Sequence, residues 1–186
     1  IKGPRKLSKF NQISNVRKIR VQLIENVESI TLKTLGALGE VELSDRIYKP
    51  ILDFLSDFKT RSISEIEHHL KNKEINISLI LQSIMVLIGK RSLGLVHEED
   101  CIKSIQGKTN KINKYLINHA FGSDEIRYLV SPRTLTGIIV GRIEKMFIAS
   151  MQLGKNNTKD WATYAWETIT SQGQLVLKNN KEIKDK

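Results

Sequence analysis

The stretch 76–91 constrains this chain more than any other. Ile77, Leu79, Ile80, Leu81, Ile84, Met85, Val86, Leu87 and Ile88 are interrupted only by Ser78, Gln82 and Ser83. A helix with this pattern is apolar nearly all round, so other elements or a partner must cover it. It falls short of the ~20 apolar residues that cross a bilayer. Asn76 is placed to cap its first turn, and Gly89-Lys90-Arg91 closes it. With 186 residues, 40% of them hydrophobic, the chain has the apolar side chains to build that cover.

The neighbouring segments supply candidates. Ser44-Asp45 opens a helical pattern over 46–58, with Ile47, Ile51, Phe54, Leu55 and Phe58 on one face. Pro50 implies that this helix starts near Lys49 or has an irregular first turn. Ser62 and Glu65 form a capping-box pattern for a second helix carrying Ile63, Ile66 and Leu70. After the apolar helix, 93–96 reads as extended. Three helices and an extended piece over 46–96 is the order of a winged-helix module. A DNA-reading helix must expose polar and basic groups to base edges. The third helix does not, so an interaction module is the better reading.

Upstream, Ile19, Val21 and Leu23 alternate with polar residues and predict a strand. A second strand is expected over 29–35, a turn between Gly36 and Gly39, and a short third strand with Val41 and Leu43. Downstream, a helix is expected over 109–121 and an extended piece over 125–130, stopped by Ser131-Pro132. A further helix over 138–153 would point Ile143, Met146, Phe147 and Ser150 inward and end at Gly154. Thr158 or Asp160 would cap a last helix with Trp161, Ala165 and Ile169 on one face. A small hairpin or tail containing Asn179-Asn180 and Ile183 would follow. The least structured stretch lies near 98–110. The expected fold is therefore α+β and mainly helical. Its parts are a basic arm with short strands (1–45), a winged-helix-like module (46–105) and a C-terminal helical segment (106–186), or all of these in one compact unit.

The net charge of +10 is uneven. The first 24 residues hold Lys2, Arg5, Lys6, Lys9, Arg17, Lys18 and Arg20 and no acid. Such an arm suits phosphate, anionic lipid or an acidic protein. Lysine, isoleucine and asparagine all have AT-rich codons, so genomic composition is also a sufficient source of the lysine excess. Aromatics at 6% argue against a base-stacking surface. The lone Cys101 excludes an internal disulfide and makes the cytoplasm the default compartment. No signal-peptide pattern follows the early basic residues. The chain opens on Ile1, as a piece of a longer polypeptide would.

No constellation carries chemistry. Glu65 and His69 have i, i+4 spacing, but further metal ligands are missing nearby, so His68-His69 reads as a helix face. Glu98-Glu99-Asp100 beside Cys101 would raise its thiol pKa, against a nucleophilic role with His97. Phosphate loops, dinucleotide loops and serine elbows are absent. Trp161, Tyr164 and Trp166 suggest packing or a peptide groove. No catalytic, cofactor or metal residue is expected.

Four motifs stand in a definite order. They are Gly3-Pro4-Arg5-Lys6-Leu7-Ser8; Gly39-Glu40-Val41-Glu42-Leu43-Ser44, continuing through Ile47-Tyr48-Lys49-Pro50 to Ile51-Leu52; Tyr128-Leu129-Val130-Ser131-Pro132-Arg133-Thr134-Leu135-Thr136-Gly137; and a helix ending at Gln172-Gly173. Together they resemble the non-catalytic C-terminal half of bacterial methyltransferases with a methyltransferase regulatory domain, the rickettsial-type protein-lysine methyltransferases among them. The resemblance implies an accessory region for substrate recognition or dimerisation, with S-adenosylmethionine held by a catalytic domain outside this chain. The expected partners are a protein substrate, that catalytic domain or a second copy. The candidate contact residues are Arg5, Lys6, Arg17, Lys18 and Arg20, with Tyr128, Ser131 and Arg133. The alternative is a winged-helix nucleic-acid-binding protein. A complete small enzyme fits least.

Overall fold

The apolar stretch is a helix over Ile77–Gly89. Asn76 caps it as predicted, its side chain accepting the Leu79 amide at 3.0 Å. The computed structural model describes residues 6–37, 39–178, 181 and 182. Arg5, Asn179-Asn180 and Ile183 lie outside them. The fold is mainly helical α+β with small antiparallel sheets. The chain divides into two units, Ile1–Glu98 and Glu99–Lys186.

In the first unit the elements are α1 (Lys9–Lys18), β1 (Arg20–Leu23), β2 (Lys33–Gly36), β3 (Gly39–Glu42), α2 (Asp45–Leu55), β4 (Arg61–Ser62), α3 (Ile63–Leu70), α4 (Ile77–Gly89) and β5 (Leu93–Val96). Three helices and an extended piece thus follow one another over 46–96 as the sequence predicts. The sheet order is β4-β1-β5, so the strand beside β5 comes from upstream of the helices. Val21 lies opposite Arg61 on one side and Leu95 on the other.

Val21, Leu23, Ile51, Leu55, Ile63, Ile66, Leu70, Ile80, Ile84, Leu87 and Leu93 share one buried cluster. Helix α4 packs on α2, α3 and β5. Its exposed residues are Ser78, Gln82, Met85 and Gly89. This spacing puts them in a single narrow stripe, so the apolar sides are covered within the unit.

Two expectations in this unit change. Residues 27–29 form a 3-10 turn instead of opening a strand, because Asn26 accepts the Glu28 amide and so competes with extended pairing. Ile30 and Leu32 pack on the core, and pairing starts at Lys33. Helix α2 begins at Asp45 with Pro50 inside it. The Ser44 carbonyl holds its first turn by accepting from Ile47 and Tyr48, both at 3.0 Å. The helix ends before Phe58, which has φ 56 and is exposed rather than inward.

The second unit contains α5 (Glu99–His119), β6 (Tyr128–Val130), β7 (Gly137–Ile139), α6 (Arg142–Gln152), α7 (Thr158–Ser171), β8 (Leu177–Lys178) and β9 (Lys181–Glu182). Helix α5 fills the stretch expected to be least structured. Only Ile102, Thr109 and Ile117 are buried along it, too sparse a pattern to read from sequence. The helix expected over 138–153 starts at Arg142, because the β-branched Ile138-Ile139 pairs with β6 instead. Ile143 is 40% exposed, while Met146 and Ser150 are buried as expected. Asn157, not Thr158 or Asp160, caps α7 by accepting the Asp160 amide at 2.8 Å.

The core of this unit is small: Met146, Ala165 and Ile169, backed by Phe121, Phe147 and Val176. Polar straps supplement it. Arg142 donates to the Ala120 and Phe121 carbonyls (2.7 and 3.0 Å) and to Gln172 and Gln174 (2.8 and 2.6 Å). Gln172, in the fourth sequence motif, therefore helps fasten the end of α7 to the end of α5. Lys145 is buried and donates to the Ile126 carbonyl. Burial lowers its pKa, and nearby Asp124 and Glu144 oppose that shift.

Candidate functional site

Three of the candidate cations meet in one cleft. Helix α1 ends on Arg17 and Lys18, and the chain turns at once into β1, which begins with Arg20. With Phe10, Ser14, Ser62, Ser64 and Glu98 they line a cavity of about 570 Å³. Phe10 is 79% exposed. It stands one and two helical turns before Ser14 and Lys18, a spacing that could have flagged it in the sequence.

The cleft is far less positive than the arm's composition implied. Arg17 pairs with Glu67 in a two-pronged bond, at 2.7 and 2.8 Å. That hydrogen bond holds Glu67 below the usual carboxylate range. Glu65 is likewise lowered, first by the Ser62 amide and hydroxyl and then by the charges of Arg61 and Arg20. Glu65 closes the capping box at the start of α3 and supplies the negative charge that a helix N-terminus attracts. Glu98 adds a third carboxylate. Lys18 and Lys6 are exposed, Arg17 serves as a strap from α1 to α3, and Arg5 lies outside the described residues.

The second candidate group forms a hairpin. Strands β6 and β7 pair Tyr128 with Ile139 and Val130 with Gly137. A tight loop closes them: the Ser131 amide donates to Thr136, the Leu135 amide to the Ser131 carbonyl, and the Thr134 amide to Ser131 Oγ. Leu135 takes a left-handed backbone, φ 54. An added side-chain carbon at Gly137 would come within 3.3 Å of the Tyr128 ring, so glycine lets that ring lie across the sheet. Asn113 of α5 grips the outer edge, donating to the Val130 carbonyl at 2.8 Å and accepting its amide at 2.7 Å. The held hairpin presents Tyr128, Arg133, Leu135 and Ile139 as exposed residues, and Ser131 is used internally.

The other sequence features become structural details. His69 stacks on Phe54, with centroids 4.0 Å apart. Trp161 donates to the Lys155 carbonyl at 2.7 Å, and Tyr164 meets Phe121 edge to face. Among the described residues no three His, Cys, Asp or Glu side chains converge as a metal site, and no helix is long and apolar enough to cross a membrane. One surface escaped the sequence reading: α5 exposes Lys103, Lys108, Lys111 and Lys114. The absence of any acid from Cys101 to Ser123 was its signal.

No family model and no solved structure matches the chain. It is similar to an uncharacterized protein of Synechocystis sp., with 28% identity over 186 residues. The match covers 98% of this chain and 35% of that protein, so the chain spans about a third of the relative's length.

Proposed function

We propose that this chain is the non-catalytic accessory region of an S-adenosylmethionine-dependent protein-lysine methyltransferase, serving substrate recognition. The observation that carries the reading is the β6–β7 hairpin. Its sequence is the most distinctive of the four family-like motifs. It displays Tyr128, Leu135 and Ile139, 48, 41 and 60% exposed, beside Arg133. Aromatic and arginine side chains on a pre-ordered scaffold suit protein recognition, because little entropy is lost on contact. Supporting it, the Gln172 motif and the Tyr48–Leu52 motif do structural work, as accessory-domain motifs would. The Synechocystis relative has about two thirds of its length outside the match, which leaves room for a catalytic domain there.

The nucleic-acid reading of the first unit draws little support. Helix α4 exposes only Ser78, Gln82, Met85 and Gly89, with no cation among them. On the β2–β3 hairpin, Lys33 is paired with Glu40 and Glu42, which would repel phosphate.

Calorimetry tests the proposal. The chain alone should give no binding heat with S-adenosylmethionine. The whole Synechocystis relative should bind it and methylate protein. Deleting the matched region should leave cofactor binding intact and abolish methylation. Cofactor binding by the chain alone, or none by the whole relative, overturns the reading.

A further inference from the structure

Helix α5 has a second face. Opposite Ile102, Thr109 and Ile117 it carries Lys103, Lys108, Lys111 and Lys114, all exposed. At 1.5 Å per residue they span about 16 Å along the axis. Several cations elsewhere are paired: Arg17 with Glu67, Lys49 with Asp45 and Arg61 with Asp57. Among the described residues none of the four α5 lysines is paired with a carboxylate. The nearest acid along the helix is Asp100, in its first turn.

A second observation concerns Gly107, which lies within this strip. A side-chain carbon added there would meet nothing within 4 Å. Packing therefore does not require glycine, although glycine is a poor residue for an exposed helix interior. What it does provide is a gap through which another backbone can approach the helix closely.

We infer that this face of α5 binds the sugar-phosphate backbone of a nucleic-acid duplex without reading its sequence. Lysine is a point charge suited to single phosphates, and no arginine stands on the strip to grip base edges. Tyr115 is its only exposed aromatic, too few for a single-strand stacking platform. Ile112 sits at the margin, so the strip has no apolar centre of the kind a protein interface builds on. This site is independent of the methyltransferase reading and lies outside the arm whose charge first suggested phosphate.

The test is fluorescence anisotropy of the full chain with a short labelled DNA duplex of random sequence, repeated across a salt series. Four cations predict a slope of log K on log salt of roughly −3.6, or on the order of a hundredfold weakening for a fourfold rise in salt. The variant Lys103→Gln/Lys108→Gln/Lys111→Gln/Lys114→Gln should lose the binding. Glutamine keeps helix propensity, and circular dichroism checks the fold. The variant Lys9→Gln/Lys71→Gln/Lys73→Gln/Lys159→Gln, with the same drop in charge, should bind like the parent. Three results overturn the inference: no binding at low salt, equal loss in both variants, or tighter binding to polyglutamate than to duplex.

Discussion

Arg17 belongs to a basic arm by sequence and to an ion pair by structure. Its guanidinium meets the Glu67 carboxylate along both prongs and ties α1 to α3. Helix α1 has no buried residue of its own, so this tie bears on its order. Glu67 and Glu65 both have folded pKa values depressed below 4.5. A depressed carboxylate stabilises the fold above its unfolded pKa, and that contribution fades as pH falls through the lower, folded value. Amide protection in α1, with exchange corrected for its intrinsic pH dependence, should therefore fall as pH drops below the ordinary carboxylate range. In Glu67→Gln exchange should already be fast at neutral pH, with less dependence on acid. Equal exchange in the two proteins at neutral pH would remove the tie from consideration.

At the scale of elements, glycines separate two kinds of constraint. Gly137 is required by the ring lying on it, and Gly107 by nothing within α5. Gly107→Ala should stabilise the helix by about 1 kcal/mol, read as a rise in the thermal midpoint. A fall instead would mean that glycine serves the fold. The elements written into local chemistry were legible in the sequence: the Ser62–Glu65 capping box, the Asn76 cap and the left-handed glycines Gly154 and Gly173. Those set by tertiary pairing were not. Ile138 and Ile139 serve a helix or a strand equally well until Tyr128 and Leu129 are beside them. The same limit applied to the site. Composition located the basic arm, but only folding put Glu65 and Glu67 against it. The α5 lysines stayed hidden because their helix has few buried positions to announce it.

At the scale of the whole molecule, the two units differ in how they are held. The first has a broad apolar cluster built from three helices and two strands. The second has a cluster of only three buried apolar side chains, with other buried residues scattered outside it, and the polar straps of Arg142 and Lys145. Apolar burial is the main favourable term in folding, so the units should not be equally stable. Heating followed by amide exchange should open α6 and α7 before α3 and α4. Met146→Ala, which removes a fully buried side chain, should cost about 2–5 kcal/mol and lower the first transition only. One shared transition for both units would contradict this.

The grip of Asn113 on Val130 has a property that a pair of ordinary strands lacks. A strand can slide by two residues and find equivalent partners. Here one side-chain amide faces one residue's N–H and C=O, donor to acceptor and acceptor to donor. Turning that amide over would set like against like at both bonds, and sliding the hairpin by one residue would present peptide groups that already face β7. The grip thus fixes which way the amide lies and which edge of β6 it meets, as a key with an asymmetric bit fits only one way up.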